Sequence, residues 1–203
     1  HQVVVFAGEQ DHFRRLNGWE DVLHAQLRAM TRPRWLRRGD RVAGAPIGIH
    51  VRRGDFRDAE TAADFRTRGG LRTPISWYVE SLEAIRDLAG VRAGAFVVSD
   101  GTAEELRELL AVPGVLPVAT GAAIGDLLAL SRSKLLIASG GSTFSAWGAF
   151  LGRMPAVAYP GQSLTWFQLD DRPGRYVGEF DPRSRPPPAL LEQIGTVLGS
   201  ARV

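Results

Sequence analysis

Apolar residues along this chain cluster into short unbroken runs, and the segments between the runs carry helical spacing. Runs at 47–51, 95–98, 115–118, 135–138 and 156–159 predict strands, and residues 2–6 (QVVVF) form a further short β-rich run. Residues 18–30 place Trp19, Val22, Leu23, Leu27 and Met30 at helical intervals. Pro74 opens a helix striped by Trp77, Val79, Leu82, Ile85 and Leu88, and Gly90 closes it. Thr102 caps another helix, with Glu104 and Glu105 in its first turn, and Pro113 ends it. Further helices are predicted over 124–131, from about 143 to 151, and from about 189 to 199. The basic stretch 31–40 reads as turn-like, 55–73 as a long polar loop, and the Pro- and Arg-rich tract 172–188 as an extended wrap or linker.

Strands and helices alternate from about residue 45 to 160, and the strand runs lack polar alternation. That predicts a parallel sheet covered on both faces: a doubly wound, Rossmann-like α/β fold with its ligand crevice at the carboxyl ends of the strands. The chain divides into residues 1–45, read as a remnant of an amino-terminal region with a connecting helix, an α/β unit over 46–171, and a Pro/Arg-rich tail with a terminal helix over 172–203. His1 rather than methionine heads the chain, so a longer product is expected.

Composition narrows the chemistry. The 203 residues are 44% hydrophobic, enough for a sizeable core. No apolar run reaches about 18 residues, and 1–7 lacks the pattern of a signal peptide. A cytoplasmic location is expected, with no more than peripheral membrane association. Net charge is +3, and Lys134 is the lone lysine, so the high isoelectric point reflects arginine usage. No basic stripe interleaved with aromatics appears, and nucleic acid is not an expected partner. There is no cysteine, and His1, His12, His24 and His50 show no metal-ligand spacing. Asp170-Asp171 lacks a third carboxylate at useful spacing. No metal and no cofactor are therefore expected.

Two segments stand out. In I-G-I-H-V-R-R-G-D-F at 47–56, an apolar strand delivers His50, Arg52, Arg53 and Asp55 onto a glycine turn. Guanidinium stays protonated and its planar fork matches phosphate oxygens. Side chains alternate along a strand, so Arg52 is assigned to phosphate on the side of His50, with Arg53 supporting it. Asp55 can clamp an arginine fork. The second segment, S-G-G-S-T-F-S at 139–145, offers a glycine turn leading into a helix start, with the hydroxyls of Ser142, Thr143 and Ser145 beside Phe144. It matches neither the Walker A loop nor G-x-G-x-x-G. Asp100, just past a strand, can accept from ribose hydroxyls or from a guanine edge. The plainer alternatives are a solvated basic strand end, a Gly-Ser turn with an ordinary N-cap, and a capping carboxylate.

Together, H-V-R-R-G-D-F at 50–56, F-V-V-S-D at 96–100 and D-L-L-A-L-S-R-S-K-L-L-I-A-S-G-G-S-T-F-S-A-W-G-A-F-L at 126–151 resemble the α-1,2-fucosyltransferase family in order and spacing. F-A-G-E-Q-D-H-F at 6–13 is similar to its aromatic turn before a helix. The likeness spans roughly 3–160; the family's amino-terminal G-G-L-G-N-Q-type block has no counterpart, Gly141 stands where the family has asparagine, Ala146 where it has tryptophan, and Phe56 where it has tyrosine. The resemblance implies a GT-B type glycosyltransferase that moves fucose from GDP-fucose to a glycan hydroxyl, with inversion and without metal. It implies Arg52 on the β-phosphate, Ser142, Thr143, Phe144 and Ser145 around the phosphates, His50 and Asp100 on the guanine side, and Asp55 keeping the arginine turn in shape. Asp55, Asp58, Glu60 and Asp64 are candidate general bases by location. The alternatives are a catalytically degenerate nucleotide-sugar-binding module and a hydrolase using the serine-rich loop, for which the G-x-S-x-G elbow is lacking.

Overall fold

The computed structural model describes residues 12–42, 44–169 and 174–199. The run at 2–6, His1, Asp170-Asp171 and all of the 6–13 segment except His12 and Phe13 lie outside them.

Among the described residues, six strands form one parallel sheet: β1 (Ile47–Val51), β2 (Ala95–Ser99), β3 (Val115–Val118), β4 (Leu135–Ala138), β5 (Ala156–Ala158) and β6 (Val177–Glu179). Their spatial order is β3-β2-β1-β4-β5-β6, the doubly wound order in which the connections reverse direction between β1 and β4. Every residue of β1, β2 except Ser99, β4 and β5 is buried, which is why these runs show no polar alternation.

The two faces carry separate cores. Ile47, Ile49, Val51, Val97, Leu135 and Ile137 point to the side covered by α4 (Ile75–Ala89), α5 (Arg107–Leu110) and α8 (Pro188–Leu198). Phe96, Val98, Leu136, Ala138 and Ala156 point to the other, covered by α6 (Ala123–Leu130), α7 (Thr143–Gly152) and, outside them, α1 (Glu20–Met30). This is the period-two alternation of strand side chains. Pro74 and Gly90 bound α4 as expected, Gly90 at φ 65° in the left-handed cap position.

Three stretches depart from the sequence reading. The basic segment taken as a turn is the helix α2 (Pro33–Gly39), with Pro33 in its first turn. Its arginines masked the short Trp35-Leu36 contact face, and Gly39 and Gly125 let it pack closely on α6. The helix expected after Thr102 is α-helical only at Arg107–Leu110. Before it, Thr102 and Glu105 close a single turn on each other: Glu105 accepts from the Thr102 N–H at 2.8 Å, and the Thr102 hydroxyl accepts from the Glu105 N–H at 3.3 Å. The tract expected to wrap loosely instead supplies β6, parallel to β5, and feeds α8 back onto the first core. Within 55–73 a short helix, α3 (Asp64–Thr67), forms, and Arg57 bridges Leu71. No helix of the described residues is long and apolar enough to cross a membrane.

Candidate functional site

The reversal between β1 and β4 brings the two singled-out segments side by side. β1 pairs with β4 from Ile47–Leu135 to Ile49–Ile137, so both strands deliver their loops at the same edge of the sheet. The junction is stitched by Ser139, the first residue after β4. Its hydroxyl accepts the Arg52 N–H at 2.8 Å, donates to the His50 carbonyl at 3.1 Å, and shares a 2.6 Å hydrogen bond with the Tyr78 hydroxyl of α4. Burial pushes the Tyr78 phenol up to about 12, so it remains a hydrogen-bond donor.

Arg52 and Arg53 follow the end of β1 and make different contacts. Arg52 sends Nε (2.9 Å) and Nη2 (2.8 Å) to the same Asp55 oxygen, and Nη1 to Asp100 at 2.7 Å. The Nε contact has hydrogen-bond geometry and the two Nη contacts are ion pairs, on a side chain that is 33% exposed. Arg53 turns toward Gly101, where an added Cβ would meet its Cγ at 2.8 Å. Its buried Nε has no partner among the described residues.

Asp100 is occupied by the turn itself. One oxygen accepts the Arg53 N–H at 2.7 Å and the other pairs with Arg52. Burial acts to raise its carboxyl, but the Arg53 and Gly54 N–H groups and the Arg52 guanidinium outweigh it, holding the group below the usual carboxylate range. Asp100 thus braces the arginine turn. Arg72 supports it from outside, donating to the Arg53 carbonyl at 3.0 Å.

His50 lies beneath the site, 3% exposed. Its Nδ1 shares a 2.7 Å hydrogen bond with the Ser145 hydroxyl, and its ring stacks on Phe144 at 4.8 Å between centroids. Burial pushes its pKa down to about 3, so the ring is neutral at ordinary pH. Here the imidazole anchors the first turn of α7 to β1.

That turn presents unpaired backbone donors. Ser142 caps α7, its hydroxyl accepting from the Ser145 N–H. Helix geometry leaves the Thr143 and Phe144 N–H groups without intrahelical acceptors, and Thr143 is exposed. The bend before it needs both glycines. Gly141 sits at φ +68°, and a Cβ on Gly140 would fall 2.0 Å from the Gln162 carbonyl. Gln162 is itself fixed: its amide accepts from Thr73 at 3.0 Å and donates to Leu71 at 3.2 Å.

The candidate bases separate by environment. Asp64 accepts from the Glu60 and Thr61 N–H groups at 3.1 and 2.8 Å and lies 3.5 Å from Arg68, so it ties the preceding turn to the start of α3. Asp55 holds Arg52. Asp58 is exposed, 3.7 Å from Arg72, and Glu60 is exposed. The joining roles of Ser139 and Tyr78 escaped the sequence reading. A serine directly after an apolar run was the available signal for the first; Tyr78 lay unmarked beside Trp77 in a helical stripe.

No protein-family model matches the chain, and no curated protein matches it. Solved structures similar to it include two of POFUT1 in complex with GDP. Crystal form III is 19% identical, with a TM-score of 0.40 over 62% of this chain and 46% of that one. The high-resolution dataset is 17% identical, with a TM-score of 0.41 over 62% and 47%. The chain spans about half the length of these structures.

Proposed function

We propose that this chain is the nucleotide-sugar-binding half of a GT-B type fucosyltransferase that uses GDP-fucose without a metal ion or other cofactor and transfers fucose to a glycan hydroxyl with inversion. The observation that carries this reading is that the arginine turn after β1 and the capped start of α7 after β4 lie side by side at the switch point of the sheet, with the Arg52 backbone N–H bonded to Ser139. Ligands of doubly wound sheets bind in that crevice. The identity of the donor rests on the motif resemblance at 50–56, 96–100 and 126–151.

In this reading the acceptor hydroxyl attacks the anomeric carbon opposite the diphosphate, the glycosidic C–O bond breaks, and negative charge develops on the departing β-phosphate. The part-exposed Arg52 guanidinium and the amides of Thr143 and Phe144 meet that charge as fixed donors. Ser145 acts through His50, and Asp55 and Asp100 keep the guanidinium aimed. His50 supports the nucleotide site from below through Ser145, the part-exposed Asp100 braces the arginine turn on the guanine side, and Arg53 adds positive field beside it.

GDP and GDP-fucose raise the melting temperature in this reading, while ADP and UDP do not. A ligand at a hundredfold excess over its Kd stabilises the native state by about 2.7 kcal/mol. Arg52→Ala abolishes the GDP shift and lowers fucosyl transfer on the order of 100-fold. Equal shifts from all nucleotides, or full turnover by Arg52→Ala, would overturn the proposal.

A further inference from the structure

Beyond the glycine bend, the carboxyl edge of the sheet continues into a groove of about 340 Å³ that nothing above uses. Its walls come from the ends of three adjacent strands and from the long loop: Gly141 after β4, Gly161 and Ser163 after β5, Glu179 ending β6, and Arg68 across from them. Trp166 stands in this wall with 47% of its surface exposed. It is not a loose surface residue. Its ring stacks on the buried Phe167 at 3.8 Å and 29°, and His12 meets it edge-on at 4.8 Å.

We infer that this groove is a subsite for a neutral pyranose ring, with Trp166 as its platform. A fixed indole offers a negative π surface that suits the weakly positive C–H face of a sugar. Flanking hydroxyl, carboxylate and guanidinium groups suit the hydroxyls around the ring's rim, the pattern of an apolar wall with a few placed polar groups. Arg68 is paired with Asp64, and Glu179 carries a negative charge at the rim that disfavours a phosphate. Position supports the same class: Gly141 belongs both to this groove and to the bend before α7, so a sugar seated here adjoins the proposed diphosphate site. The assignment of this sugar to the acceptor rests on the transferase reading; the presence of a sugar subsite does not.

The test is saturation-transfer NMR with lactose, methyl β-D-galactopyranoside and N,N′-diacetylchitobiose as probes, run beside GDP melting shifts. At least one probe shows transfer concentrated on its ring C–H protons. Trp166→Ala lowers that transfer at least fivefold and Glu179→Ala at least twofold, while both variants keep the wild-type GDP shift. Should Trp166→Ala lose its cooperative melt, Glu179→Ala decides alone. No transfer from any probe, or undiminished transfer in a folded variant, overturns the subsite. Sugar transfer that depends on Trp166 in a protein without a GDP shift would retain the subsite and remove the transferase reading.

Discussion

His50 links one residue's environment to the behaviour of the protein with pH. Its folded-state pKa, about 3, lies below the ordinary value of 6.5. Between these values the unfolded chain binds the extra proton, so stability is complete above pH 6.5 and falls as pH drops. The loss is about 1.4 kcal/mol per pH unit, roughly 2 kcal/mol by pH 5. Melting curves at pH 7 and pH 5 should show a larger drop for the wild type than for His50→Gln, which carries no titrating group there. Parallel slopes would mean that the ring is not buried neutral. The residue types of this site were legible: arginines after an apolar strand, and glycines before a serine-rich helix start. The orientation of His50 was not, because its burial depends on Ser145 and Phe144, which lie far along the chain and reach it only when α7 crosses β1.

At the scale of elements, Ser139 couples β1, β4 and α4 through one hydroxyl. Replacing it by alanine leaves the Arg52 N–H without its acceptor and the Tyr78 hydroxyl with Thr73 alone, which costs about 1–3 kcal/mol. Urea denaturation of Ser139→Ala should show that loss together with weakened GDP binding, since the arginine turn loses its tether. Destabilisation with unchanged GDP affinity would confine Ser139 to the fold. Gly140→Ala drives a methyl into the Gln162 backbone and should cost a similar 1–3 kcal/mol. Strands and long helices could be read from pattern because unbroken apolar runs and a Pro-to-Gly bounded stripe follow from local geometry. α2 and β6 could not: α2 has only a narrow apolar face among arginines, and β6 is partly exposed and forms a strand because β5 offers it an open edge.

For the whole molecule, the carboxyl-terminal segment belongs to the central core. Leu190 and Ile194 are fully buried against the α4 face, and the Trp77 indole donates to the Phe180 carbonyl at 2.9 Å. Ile194→Ala should cost about 2–5 kcal/mol, read as a lower urea midpoint with a single transition. A separate early transition for α8, with the sheet unaffected, would show the tail folding on its own.

The amino-acid sequence alone determined the alternation of buried strands and helices, and with it the doubly wound class, because hydrophobic period and local punctuation are short-range properties. It also supplied the chemical types able to hold an anion. Only the tertiary structure decided which of them face outward. Strand order placed the loops after β1 and β4 together at the reversal of the sheet, burial turned His50 inward as a support, and ion pairing with Arg52 committed the exposed Asp100 to the arginine turn. The same arrangement set Trp166 at a groove beside the glycine bend. These outcomes depend on contacts between residues far apart in the chain, which pattern along the chain does not encode.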